Sequence, residues 1–380
     1  MKKEIVLTNA QVVIRHELFR GTVRVTDGII TGIDEGKSMG RPSIDLEGDY
    51  LLPGLIELHT DNLEKHFVPR PGVRWPSMAA VLSHDASIVS AGITTVFDAL
   101  AVGESMERRT RPQDLQEMVD AIKATQGKGM LRADHFLHLR CEIGYPQVLD
   151  LFESLADDPL VKFASLMDHT PGQRQFTRIE KLYQYYQGKY GFTQAEMETL
   201  VQQRLENQDR YARKHRGALL EICRRLGIPV ASHDDTTADH VVEAASEGIV
   251  VSEFPTTIEA AQTARRLGLN ILVGAPNLVL GGSHSGNVSA LELAGLDLAD
   301  IFSSDYVPGS LVQGAFLIHQ KLDMPLPEAV AKITIHPAST GNLTDRGAIR
   351  LGNRADLIRV KLDHAVAVIR NVWRSGEVMF

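Results

Sequence analysis

One repeated pattern constrains this chain more than any other: short apolar, β-branched runs that end in polar residues and lead into helical stretches. Eight can be counted, GLIELHTD, ITTVFDAL, FLHLRCEI, VKFASLMDH, IPVASHDD, IVVSEFP, NILVGAPN and IFSSDYVP. Near-continuous apolar runs are what strands buried on both faces require, and their alternation with helices makes them parallel βα units. Eight such units predict an α/β fold built as a TIM-like (β/α)8 barrel, with its reactive side chains at the C-terminal strand ends.

The two ends of the chain read differently. EIVLTNAQVVI, GTVRVTDGIITGIDE and SIDLEGDYLL are short strands separated by Gly, Asn and Asp turns, and GAIRLGNRADLIRVKL with AVAVIRNVWRSGEVMF repeats that texture. Residues 1–52 and 345–380 are therefore expected to form one composite small β domain, a β-sandwich, beside a barrel spanning 53–344. A stretch at about 170–225 is longer than a βα connection needs. Thr193 and Glu196 stand there at capping-box spacing, so extra helices are expected. They could be a solvated excursion, an oligomer contact in a homo-oligomer, or a lid over substrate.

Composition removes several classes of function. Lys and Arg number 40 against 48 Asp and Glu, a net charge of -8, so no global field favours nucleic acid or an anionic membrane. No apolar stretch approaches the roughly 20 residues of a membrane span. The N-terminus lacks a signal-peptide pattern. Cys141 and Cys223 are too few for a disulfide framework and have no CxxC partner. A soluble, cytoplasmic protein acting on a small molecule is the expectation.

His59 and Asp61 end the first run two residues apart, so the period-2 pleat of a strand would point both to one side. An imidazole and a carboxylate so placed form half of a divalent metal site, or a structural hydrogen-bonded pair. Other strand ends repeat the chemistry with Glu142, His169, His233 and Asp305. Six such ligands around one mouth could hold two divalent ions, zinc or manganese, that share and acidify a water. Glu142 would bridge them, and Asp305 would also take the water's proton. Asp98, Asp234 and Asp235 could orient a ligating histidine or cap a helix.

LLPGLIELHTD, SSDY, the eight-strand count and the tail HPASTGNLTDRGAIRLGNRADLIRV together resemble the amidohydrolase superfamily of metal-dependent barrel hydrolases. The resemblance covers nearly the whole chain. Three departures from the superfamily pattern stand out: HTD replaces HxH, no lysine ends a middle strand, and the sixth strand ends in Glu253 rather than histidine. HTDNLEKHFVPRPGVRW, LMDHTPGQRQF, SHDDTT, GAPNLVLGGSHSGNVSA and SSDYVPGSL resemble one branch, the diphosphatases of phosphonate catabolism in the carbon-phosphorus lyase pathway. That resemblance implies hydrolysis of a phosphorylated ribose, a 1-methylphosphonate 5-triphosphate, to its 5-phosphate and pyrophosphate.

A triphosphate needs cationic and backbone partners. Candidates are Lys65, His66, Arg70 and Arg74 after the first strand, and Arg174 and Arg178 after the fourth. In the loop after the seventh strand, Gly281, Gly282, Ser283 and His284 could form an anion nest or a plain connection. Two rival readings stay open: hydrolysis of a C–N bond in a cyclic amide or amine, and a barrel without metals that serves as a binding protein.

Overall fold

The computed structural model describes residues 3–36, 43–70, 72–103, 112–172, 174, 183, 192–283 and 286–380. The N-terminal strands are β1 (Glu4–Val13), β2 (Leu18–Thr26), β3 (Ile29–Glu35), β4 (Ile44–Asp45) and β5 (Tyr50–Pro53). Asp27 and Gly28 join β2 to β3 with φ of 50° and 80°, the pair of positive φ angles that a tight hairpin turn needs. Next come β6 (Leu55–Thr60), β7 (Ile93–Val102), β8 (Asp134–Glu142), β9 (Val161–Met167), β10 (Val230–His233), β11 (Val251–Glu253), β12 (Asn270–Gly274) and β13 (Ile301–Ser303). The chain ends with β14 (Leu357–Asp363), β15 (Val366–Arg374) and β16 (Glu377–Val378).

Strands β6 to β13 pair in sequence order as one parallel eight-stranded sheet, and each contains or overlaps one of the eight runs. The sheet closes at a single parallel bridge between Thr60 and Asp305. Side chains strengthen this seam: Thr60 Oγ1 donates to the Asp305 carbonyl at 2.8 Å, and Ser303 Oγ donates to Glu57 Oε1 at 2.8 Å. Burial pushes the Glu57 carboxyl up to about 7, although hydrogen bonds from Ser304, His59 and Ser303 pull it the other way. The barrel is filled by Ile56, Leu58, Phe97, Phe163, Ala231, Val251, Leu272 and Ile301, as strand alternation requires.

The remaining strands make the second sheet, ordered β16-β15-β14-β5-β1-β2-β3 with β4 on β1. Antiparallel pairing of β5 with β14 brings the two ends of the chain together. Its core is Leu7, Val12, Val23, Leu51, Leu357 and Trp373. In the long connection after β9, Thr193 caps the helix Gln194–Asn207 with a complete capping box. A π-turn, Gln208–Ala212, links that helix to Arg213–Leu226. This unit packs over the ends of β8 and β9: Gln208 Nε2 donates to Asp168 Oδ2 at 3.3 Å, and His215 Nδ1 meets the Ile143 carbonyl at 3.0 Å. Both cysteines are buried and free. Among the described residues, no helix is long and apolar enough to cross a membrane.

Between β7, β8 and the helix Ser77–Ser90 lies a fully buried polar cluster. Asp98 accepts from His84 Nε2 and His135 Nδ1, each at 2.7 Å. Burial opposes charge on His135, but Asp98 and Asp85 override it and raise its pKa to about 9. Asp98 also pays a burial penalty, yet His135 and His84 hold it at about 2. A raised histidine stabilises fully below its unfolded value of 6.5, and that stability is lost as pH rises through about 9. The Asp98 contribution is present above 3.8 and is lost as pH falls through about 2. Asp98→Asn is expected to cost about 3–5 kcal/mol, the usual effect of breaking a buried ion pair. It should also flatten the alkaline loss of stability. Melting curves of both proteins that fall in parallel from neutral pH to pH 9 would contradict this account.

Candidate metal centre

Parallel pairing sets His233 of β10 beside Glu253 of β11 as register partners. His233 Nδ1 lies 2.7 Å from Glu253 Oε2, and His59 Nδ1 lies 2.6 Å from Glu253 Oε1. Burial disfavours charge on Glu253, yet His59 and His233 hold its pKa well below the usual range, so it is an acceptor. Both imidazoles must then carry their proton on Nδ1, which leaves Nε2 free to ligate. Burial drives the His59 pKa down to about 4, despite the adjacent Glu253. At the end of β8, Glu142 stands behind His169, accepting from its amide at 3.1 Å and its Nδ1 at 2.8 Å. A carboxylate behind each imidazole is the usual support of a metal ligand.

The atoms that converge are His169 Nε2, His233 Nε2 and Asp234 Oδ2. Asp234 Oδ2 lies 3.5 Å from His233 Nε2 and 3.9 Å from His169 Nε2, is buried, and takes no hydrogen bond. Burial raises the Asp234 pKa. The His233 pKa is also raised, because Asp234 and Glu253 outweigh the burial that would lower it. A buried carboxylate oxygen without a donor, facing two imidazole nitrogens, lacks a cation, so these residues fit a divalent metal. Backbone strain marks the same rim: Asp234, Phe254 and Asp305, at or just past the ends of β10, β11 and β13, have φ of 56°, 55° and 50°.

Two other clusters are less suited to metal. His59, His138 and Glu253 approach one another, but His138 already uses Nδ1 on the Leu58 carbonyl at 2.8 Å and Nε2 on Ser165 Oγ at 2.9 Å. In the cluster of His84, Asp98 and His135, both Asp98 oxygens are already bonded to imidazole.

Several expected residues take other positions. Asp61 stands just past the strand that carries His59, because β6 ends at Thr60. Asp61 then adopts φ -98°, ψ 14° before the helix Asn62–Phe67. Among the described residues, neither Asp61 nor Asp305 joins the convergent groups. Asp305 lies on the seam, and its carbonyl accepts from Thr60 Oγ1 and Asn62 Nδ2. Lys65 lies nearby, with Nζ 3.7 Å from Asp61 Oδ1 and 5.2 Å above the Tyr306 ring. His66 packs 5.6 Å from the His84 ring, on the side of the helix Ser77–Ser90.

The phosphate candidates after β9 and β12 are also partly engaged. Arg174 is buried, and its Nη1 donates to the His233 carbonyl at 2.9 Å and to Asp235 Oδ1 at 2.6 Å, bracing the turn after β10. The Gly281 and Gly282 amides both donate to the Asn277 carbonyl at 3.1 Å, closing the helix Ala275–Leu280 instead of forming an anion nest. The Ser283 carbonyl accepts from the Gly286 amide. Arg178 and His284 lie outside the described residues. Arg74 pairs with Asp114 and Glu117.

Three residues of this mouth escaped the sequence reading in whole or part. Glu253 read as a departure from a pattern, Asp234 had two readings, and Arg140 was passed over. Signals existed: Glu253 ends a run parallel to the one ending in His233, and HLRCE alternates His138, Arg140 and Glu142 on one strand face.

No protein-family model matches the sequence. The chain is 47% identical over 378 residues to the α-D-ribose 1-methylphosphonate 5-triphosphate diphosphatase of Escherichia coli (strain K12), covering 99% of this chain and 100% of that protein. Its fold is similar to that of 5-methylcytosine deaminase from Klebsiella pneumoniae, with a TM-score of 0.65 at 14% identity over 99% of this chain and 98% of that one. N-acetylglucosamine-6-phosphate deacetylase from Pasteurella multocida gives a TM-score of 0.64 at 12% identity, covering 99% of both chains. Identities that low speak for the fold alone. A match spanning both chains at nearly half identity, on an eight-stranded parallel barrel with His and carboxylate side chains at its mouth, places this enzyme in the α-D-ribose 1-methylphosphonate 5-triphosphate diphosphatase family of hydrolases.

Proposed function

We propose that the protein hydrolyses α-D-ribose 1-methylphosphonate 5-triphosphate to α-D-ribose 1-methylphosphonate 5-phosphate and pyrophosphate in phosphonate catabolism. The observation that carries this reading is the whole-length 47% identity to the Escherichia coli diphosphatase. In the reaction a water oxygen forms a new bond to phosphorus, the bridging P–O bond between the α and β phosphoryl groups breaks, and pyrophosphate leaves.

Two divalent ions, zinc or manganese, would be held by His169, His233 and Asp234 together with His59, Asp61 and Asp305 at neighbouring positions on the rim. When bound, such ions polarise phosphoryl oxygens and acidify water. The chain's own residues do the rest. Glu253 fixes the tautomers of His59 and His233, and Glu142 fixes that of His169. Asp305 receives the proton of the attacking water. Lys65, on the seam, meets substrate phosphate, as do Arg178 and His284, while Arg174 holds the turn that carries Asp234.

The test combines elemental analysis of purified protein with phosphorus NMR after incubation with the ribose 5-triphosphate. Pyrophosphate and the 5-phosphate are expected, with about two ions per chain. Bound metal with no pyrophosphate, and ammonia or a ring-opened acid from cyclic amides or amines, would replace this reading with C–N hydrolysis.

A further inference from the structure

Arg140 stands on β8 between His138 and Glu142, and all three share the strand face that looks into the barrel. The face is identified by its contacts: Phe136 packs on the barrel's interior core, His138 packs against His59 and Phe163, and Glu142 bonds His169. The alternate residues Leu137, Leu139 and Cys141 belong instead to the outer core beneath the helices. Arg140 therefore enters the mouth from the same strand as Glu142.

The Arg140 Nε is buried and has no hydrogen-bond partner, and among the described residues the guanidinium makes no ion pair. Other arginines around the barrel are paired: Arg174 with Asp235, Arg216 with Glu247, Arg346 with Asp134. A guanidinium with a buried, unpaired N–H loses water without compensation until an acceptor arrives. Beside residues that bind cations, a further fixed positive charge is favourable only when an anion joins them. Its planar fork matches two oxygens of a tetrahedral phosphorus group.

We propose that Arg140 binds a phosphorus oxyanion of the substrate inside the barrel mouth, a contact that rests on the diphosphatase reading. Two groups offer that chemistry, the pyrophosphate portion of the triphosphate and the methylphosphonate, and isothermal titration of the metal-loaded enzyme with each separates them. Arg140→Gln should weaken binding of one of the two probes by on the order of 10–100-fold, with Arg140→Lys intermediate because it keeps charge but loses the fork. Metal content should stay at the wild-type value in both variants. Weakened pyrophosphate binding assigns Arg140 to the leaving group, and weakened methylphosphonate binding assigns it to the other end of the substrate. Unchanged binding of both probes, or loss of metal from both variants, overturns the proposal. A wild-type enzyme that binds either probe in an Arg140-dependent way yet releases no pyrophosphate from the triphosphate would refute the diphosphatase reading while leaving the anion contact standing.

Discussion

His233→Asn is expected to empty the metal centre and to lower pyrophosphate release by more than the roughly 10–100-fold that loss of a supporting residue costs a metal site. The asparagine amide can still donate toward Glu253 from near the position of Nδ1, so the strand end keeps its hydrogen bond. What disappears is Nε2, which lies 3.5 Å from Asp234 Oδ2 and belongs to the group in which, among the described residues, an unbonded buried carboxylate oxygen meets two imidazoles. Asp305→Asn provides the contrast. Asp305 lies outside that group, so its loss should reduce turnover while the His169, His233 and Asp234 position keeps its ion. Elemental analysis and phosphorus NMR on both variants decide the matter. Full metal and full turnover in His233→Asn would remove the metal centre from this part of the barrel.

The second large effect belongs to Glu253, which holds His59 and His233 together across the barrel. In Glu253→Gln one acceptor oxygen becomes a donor, so one imidazole must change tautomer or lose its bond, and its Nε2 no longer presents a lone pair. Metal affinity should fall by about 10–100-fold, the scale seen when the carboxylate behind a ligating histidine is removed. Glu253→Leu goes further, because two buried N–H groups are left without acceptors at about 1–3 kcal/mol each. The metal-free protein should therefore melt lower in Glu253→Leu than in Glu253→Gln. A competition titration with a chelator gives the affinity, and a value equal to wild type in Glu253→Gln would show that the two histidines do not need this carboxylate.

Much of the architecture follows from local rules. Buried parallel strands need apolar runs of the kind that precede His59, Glu142, His233 and Glu253, and each run became a barrel strand. The Asp27-Gly28 turn and the Thr193 capping box follow from the backbone preferences of those few residues. The site is different, because its parts are assembled across the fold: His59 and Glu253 are 194 positions apart, and only barrel closure sets them 2.6 Å from one another.

Local reasoning about the site fails where a residue's partner lies elsewhere. Period-2 geometry would carry the strand from His59 through Asp61, but the strand ends between them. Glycines suited to an anion nest also suit a helix end, and the Asn277 carbonyl took their amides. Arg174 and Arg140 are chemically alike in the sequence, yet one meets Asp235 and the other meets no carboxylate among the described residues. The sequence alone determined which segments are strands, how they alternate with helices, and which residue types reach the mouth. Which carboxylate supports which histidine, and which guanidinium stays open to an anion, were decided by the tertiary structure. Hydrophobic periodicity specifies the face a side chain occupies, whereas hydrogen bonds and charge pairs depend on distances that only the closed barrel defines.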